Sequence, residues 1–290
     1  MPRTRSSITP ETDGDGSGAS PAWSIPSLRE PRYSQSLERG LAILGCFTPE
    51  RPVLGIADIA DELGMSRSTT HRYVITLVAL GYLEQGASRK YRLGLRVTDL
   101  GMAALNSTGL REHAHQHLEE LRARTSYTAS LGVLDGEDLL FVACAQSLRR
   151  ARGVAGEARP GARLPAYCTA KGKLLLASLP ESDLKQAIAR IKPSKRGPNT
   201  ITSKRGLKEE LDAVREAAFA VNDEESRRGL YAIAAPVRNE SREIVAAVSL
   251  MADDKAISLE DMVDALGPHL ISSADRISAR LGYRRDDEQG

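Results

Sequence analysis

Apolar residues recur at helical spacing through the first third of the chain. In SQSLERGLAILGCF, Leu37, Leu41 and Leu44, with Ile43 beside them, form one stripe, and Thr48-Pro49 follows where a helix should stop. Ile56, Ile59, Ala60 and Leu63 repeat at three- and four-residue steps opposite Asp58, Asp61 and Glu62, and Gly64 then supplies the backbone freedom of a tight turn. Ser66 is placed to cap a third helix, SRSTTHRYVITLVALG, which gathers Thr70, Tyr73, Val74, Leu77 and Leu80 on one side and Arg67, Ser68, His71 and Arg72 on another; Gly81 ends it. The period then shortens to two. YLEQGASRKYRL alternates about a glycine-containing turn, with Tyr91 and Leu93 on one face of a short two-stranded wing and Lys90 and Arg92 on the other.

Residues 94–108 return to a helical stripe of Val97, Leu100, Gly101 and Ala104, suited to a linker helix. Beyond it, a helix to Arg124, an alternating strand through Ala129, Leu131 and Val133, an Asp135-Gly136 turn and the apolar run LLFVACA predict a hairpin. Helices are expected near 169–178, 181–191 and 203–217. Strands are expected near 231–237 and 244–251 about a turn at Asn239-Glu240-Ser241, and a long closing helix over 258–281. No repeat of fixed period is present. At the other end, residues 1–32 carry Gly, Ser, Pro and balanced charge with almost no apolar periodicity, which predicts a disordered tail; Trp23 within it is either an exposed anchor or a solvated aromatic. The expected division is a tail 1–32, a winged helix-turn-helix domain 33–95, a linker helix 96–109 and a mixed α+β domain 110–285.

A length of 290 residues suits two cores, and 41% hydrophobic with 27% charged residues is an ordinary globular balance. No apolar run approaches the ~20 residues that span a bilayer and the N-terminal stretch has no apolar signal core, so the expected location is the cytoplasm, with no membrane partner. Cys46, Cys144 and Cys168 are far apart and form no CxxC, which argues against a disulfide framework or a thiolate zinc site and for small buried residues.

The net charge of +2 says little, but its distribution says more: residues 66–92 hold Arg67, Arg72, Arg89, Lys90 and Arg92 against Glu84 alone, a larger surplus than that of the whole chain. A major groove admits one helix, whose early residues read bases while basic groups hold phosphates. Arg67, Ser68, Thr69, His71 and Arg72 crowd the start of the third helix, and Arg89 and Lys90 sit where a wing flanks the groove. These seven residues are the candidate DNA contacts, with double-stranded operator DNA as the partner.

LGIADIADELGMSRSTTHRYVITLVALGYLEQG with KYRLGLRVTDLG resembles the winged helix of the isocitrate lyase regulator (IclR) family, and RLPAYCTAKGKLLLASLP and NDEESRRGLYAIAAPVRNESREIVAAVSL resemble two stretches of that family's effector-binding domain. The resemblance spans about residues 33–285. It implies a GAF-like α+β domain, a sheet flanked by helices, that binds a small acid, and a linker helix through which the chain forms a dimer, or a dimer of dimers, on DNA. Members that respond to glyoxylate or pyruvate line the pocket with small residues at a helix start, an aspartate, a cysteine and two serines; the matching positions here are Ala170 and Lys171, then Asn222, Ala232, Ser249 and Met251. Only the first serine survives, so the cavity is less polar and a larger, more apolar acid is expected. Within the family the texture of SLERGLAIL, LPAYCTAKGKLLLA and GLYAIAAPV is nearest to regulators of aromatic acid breakdown through the β-ketoadipate pathway. That implies an activator and a ligand such as protocatechuate, 4-hydroxybenzoate, a muconate or β-ketoadipate; a repressor of another small-acid operon is the alternative. Arg149, Arg150, Arg152 and Lys171 are available cations for a carboxylate, or else cover the surface. Tyr167 and Cys168 either line an aromatic pocket or pack the core.

Other chemistry has thinner support. Cys168 with a histidine is a conceivable nucleophile and base, but no local signature accompanies it, so no enzyme is expected. Gly172-Lys173 lacks the upstream glycine of a phosphate-binding loop. His113 and His117 share a helix face with His115 near them, but without a third ligand in register they read as a solvated face. No cofactor and no metal are expected.

Overall fold

Ser34 opens the first helix, α1 (Gln35–Gly45), by accepting a hydrogen bond from the Leu37 amide at 3.4 Å. The computed structural model describes residues 34–86, 88–107, 109–147, 158–253 and 257–284; the tail with Trp23, and Arg149, Arg150 and Arg152, lie outside the described residues. The chain divides into two units between Leu100 and Gly101.

In the first unit α2 (Ile56–Leu63) and α3 (Arg67–Ala79) meet across a turn in which Gly64 takes φ +61°, a conformation open to glycine at little cost. The Asp58 carboxylate accepts from the Gly55 amide at 2.8 Å and so satisfies the start of α2. Ile43, Ile59, Val74, Leu83 and Tyr91 form the centre of this unit's core. The stripe expected on α1 splits: Ile43 is fully buried with Cys46 and Phe47, whereas Leu37 and Leu41 remain 64% and 47% exposed, because the helix turns its Ile43–Cys46 face to the core. Leu80, at the end of α3, is likewise exposed rather than packed. The wing pairs β1 (Leu83–Gln85) with β2 (Tyr91–Leu93), Glu84 opposite Arg92. Leu54 adds a bridge to Tyr91 through two backbone hydrogen bonds of 3.0 and 2.8 Å, a contact too short to leave a pattern in sequence. Helix α4 (Arg96–Asn106) follows.

The second unit is built on one antiparallel sheet. After α5 (Leu110–Thr125) come β3 (Thr128–Asp135), β4 (Asp138–Ala145), β5 (Arg163–Pro165), a 3₁₀ turn (Ala166–Cys168), α6 (Ala170–Ala177), α7 (Glu181–Arg190) and α8 (Lys204–Ala217). Then β6 (Ala220–Asp223), β7 (Leu230–Arg238) and β8 (Ile244–Asp253) complete the sheet in the order β5-β4-β3-β8-β7-β6. The closing helix is not continuous: a turn at Leu259–Asp261 and a π-helical turn at Met262–Leu266 precede α9 (Gly267–Arg280). β5 and β6, three and four residues long, escape the sequence pattern because so short a run shows no alternation.

Strand alternation sends side chains to two cores. On β7, Ala232 and Ala234 face α6 and α8, while Ile233, Ala235 and Val237 face α5 and α9. Helices therefore cover both faces, and α6 is buried along its whole length. Among the described residues no helix is long and apolar enough to cross a membrane.

Candidate DNA-reading surface and effector cavity

Ser66 fixes the start of α3. Its hydroxyl accepts from the Thr69 amide at 3.2 Å and donates to the Thr69 hydroxyl at 2.8 Å. Thr70 is buried and its hydroxyl donates to the Ser66 carbonyl at 3.1 Å, which locks the first turn from the core side. With that side anchored, Arg67, Ser68, His71 and Arg72 stand exposed on the other, and Thr69 is half-buried. Arg89 and Lys90 are exposed beside the wing turn, Arg89 at φ +53°. Arg92 is engaged differently from them: Nε and Nη2 donate to Glu84 Oε2 at 2.9 and 2.8 Å across the wing, so its charge is largely balanced.

In the second unit, Ala170, Lys171, Asn222, Ala232, Ser249 and Met251 line one cavity of about 30 Å³, with Leu139, Phe141 and Leu164 among its other walls. Tyr167 is not among the residues lining it. Its hydroxyl donates to the Ser194 carbonyl at 2.9 Å and accepts from the Ser194 amide at 3.1 Å, so the ring is spent on pinning the segment after α7. Asn222 reaches the cavity with its amide occupied: Nδ2 donates to the Cys168 carbonyl at 2.6 Å, and Oδ1 accepts from the Glu225 amide at 3.3 Å.

Two lysines on α6 are both buried and differently satisfied. Lys173 Nζ lies 2.6 Å from Glu210 Oε1 and 2.5 Å from Glu225 Oε1, an ion triad with Lys173 and Glu225 buried and Glu210 partly exposed. Lys171, 2% exposed, has no carboxylate within ion-pair distance among the described residues. Its Nζ donates to Ser249 Oγ at 2.9 Å and, more closely, to Ser130 Oγ, and it sits 4.1 Å from the centre of the Phe141 ring. Burial pushes the Lys171 amine down to about 7. Ser130 and Ser249 are register partners on β3 and β8. The signal for Ser130 was available: alternation in TASLGVL sets Ser130 and Gly132 on the face opposite Ala129 and Leu131. Gly132 clears the lysine's path, since a Cβ there would stand 3.2 Å from Lys171 Cε and 2.7 Å from Leu139 Cδ1. Gly132→Ala should therefore cost about 1–3 kcal/mol through overpacking, read by urea denaturation.

The remaining candidates are inert. Cys168 is fully buried and burial raises its thiol to about 12, so no thiolate nucleophile exists at neutral pH. Among the described residues no three His, Cys, Asp or Glu side chains are grouped to hold a metal. His117 packs beside Glu120 at 3.7 Å, and burial lowers its pKa.

A winged helix with a basic, exposed helix face, joined to an α+β sheet domain that carries a small cavity, defines a DNA-binding regulator. The chain belongs to the IclR family of transcriptional regulators: the family models described as the IclR helix-turn-helix domain and the bacterial transcriptional regulator IclR C-terminal match residues 36–87 and 102–279. It is 35% identical over 217 residues to the HTH-type transcriptional regulator XynR of Escherichia coli (strain K12), covering 74% of this chain and 85% of that one. It is 30% identical to the Pca regulon regulatory protein of Pseudomonas putida, over 91% and 90% of the two chains. Among solved structures it is similar, with a TM-score of 0.74 and 26% identity over 85% of this chain and 98% of that one, to an IclR homolog from Microbacterium hydrocarbonoxydans complexed with 4-hydroxybenzoate. These relatives are regulators and not enzymes, in keeping with the buried, protonated Cys168.

Proposed function

We propose that this protein is a cytoplasmic, ligand-responsive regulator of aromatic acid catabolism genes, more an activator than a repressor, that binds operator DNA as a dimer or a dimer of dimers. α3 enters the major groove through Arg67, Ser68, Thr69, His71 and Arg72, with Arg89 and Lys90 on flanking phosphate. One such helix reads too few bases for useful specificity, and a two-fold pair addresses half-sites about 34 Å apart or a multiple of that. Leu37 and Leu41 on α1 and Leu100 on α4 are exposed apolar residues available to self-association.

The observation that carries the aromatic reading is the cavity wall. Phe141, Leu139, Leu164 and Met251 offer apolar surface, and the Asn222 amide already has protein partners. A polyhydroxylated sugar acid would leave several hydroxyls unpaired there, at about 1–3 kcal/mol each, whereas an aromatic ring would not. An engineered apolar cavity that admits benzene measures ~150 Å³, so a cavity of about 30 Å³ must widen on binding. Such widening is how an acid would favour one dimer geometry over another.

Two measurements test this. Selection from a random duplex pool with the full chain is expected to enrich an inverted repeat. A thermal-shift panel is expected to give stabilisation by 4-hydroxybenzoate or protocatechuate and none by gluconate or xylonate; the reverse order would transfer the protein to sugar-acid regulation.

A further inference from the structure

Resting on the effector reading above, we propose that Lys171 is the group that receives the carboxylate of the acid, and that the acid and a proton enter the cavity together. The two α6 lysines provide the contrast. Both are buried, yet Lys173 has two carboxylates against it while Lys171 has two serine hydroxyls and an aromatic face. Hydroxyls and a ring solvate an amine without neutralising an ammonium, so a counter-charge is what the site lacks. The free space that would admit one adjoins this lysine, since Lys171, Ser249 and Phe141 all line the cavity.

The surroundings of Lys171 leave the linkage simple. β3 presents Ser130 and β8 Ser249, while β4 presents Phe141 and the Cys144 thiol; β6 and β7 present Asn222 and Ala232 across the cavity. Cys144 is the titratable group acting on the amine, and burial holds its own thiol protonated by raising its pKa. On α6 itself, Lys173 is committed to its glutamates.

With burial holding the Lys171 amine at about 7, roughly half of the ligand-free protein lacks this charge at neutral pH. A carboxylate binds to the ammonium form, raises its pKa and draws in the missing proton. Binding then weakens about fivefold from pH 7 to pH 8 and about tenfold for each unit beyond, up to the pKa of the bound state, and it levels off below about pH 6. The same burial makes the empty protein gain stability between pH 7 and about 10, because the unfolded lysine holds its proton through that range and the folded one does not.

The test uses the full chain and 4-hydroxybenzoate, with protocatechuate as a second probe. Isothermal titration at pH 8 in phosphate and in Tris is expected to show uptake of close to one proton, with a Kd about fivefold weaker than at pH 7. Lys171→Met, which exchanges an uncompensated amine for an apolar chain of similar length, is expected to melt several degrees higher and to lose the response to both acids. Binding by the wild type without proton uptake, or undiminished binding by the variant, overturns the proposal and leaves the effector reading standing. Absence of binding by the wild type to either acid overturns both. Should the variant fail to fold, the proton count and pH profile of the wild type decide alone.

Discussion

Lys173→Met is expected to lower stability by about 3–5 kcal/mol at pH 7.5, the opposite sign from the same exchange two residues earlier. The ammonium of Lys173 is the partner of Glu225, whose side chain is 6% exposed and whose second oxygen, Oε2, has no hydrogen-bond partner among the described residues. Removing the cation strands a carboxylate in the core between α6 and β6. The loss should depend on pH. Burial already raises the Glu225 carboxyl above its ordinary value, and without Lys173 it rises further. A carboxyl with a raised folded pKa favours the folded state at low pH and loses that contribution as pH climbs through the folded value. The deficit of Lys173→Met should therefore shrink between pH 7.5 and pH 5, as measured by urea denaturation at both. A deficit constant across that range would assign the effect to packing alone.

The second large effect concerns DNA. Arg72→Ala and Arg67→Ala should each cost about 1–3 kcal/mol of affinity for a selected operator, roughly 5- to 150-fold, while leaving the melting temperature close to that of the wild type. Both side chains are exposed, and the core side of α3 is held by Thr70, Val74 and Leu77 without them. Anisotropy titrations over a range of salt separate the two roles an arginine can have. A base-reading arginine relaxes specificity at one position, whereas a phosphate-holding one weakens all sequences alike and lowers the salt slope by about 0.9. Arg92→Ala provides the internal control, since its pairing with Glu84 predicts a smaller loss. Wild-type affinity in both α3 variants would move the reading face elsewhere.

The winged helix was legible because its evidence is local: Ser66, Gly64 and the split of α3 into apolar and basic sides all lie within a few residues of one another. Its failures were local too. Leu37 and Leu41 fit a helical stripe, but period cannot say which of two adjacent apolar faces the core will choose. The cavity was legible in another way, through resemblance, which carried Ala170, Lys171, Asn222, Ala232, Ser249 and Met251 to positions that share one wall. The sequence leaves Tyr167 open between pocket and core, and its hydroxyl turns to Ser194, a partner 27 residues away, outside the cavity lining. Alternation set Ser130 on the face opposite Leu131, but the pairing of β3 with β8 that brings it beside Ser249 leaves no trace in either strand alone. The condition of Lys171 was beyond reach as well. α6 is buried all round, so no periodicity separates its two lysines, and only the glutamates opposite one of them do.

The pairing of Ser130 with Ser249 spans 119 positions of the chain, and that separation bears on how the chain can assemble. Contacts that far apart form late, since a long loop must close before they repay its entropy. β3 therefore waits for β8, and the chamber around Lys171 has no existence until the last strand is in place. The contacts of the winged helix lie within the first hundred residues and need nothing from that strand. During synthesis the winged helix is free to form first, before the strand that completes the cavity has been made.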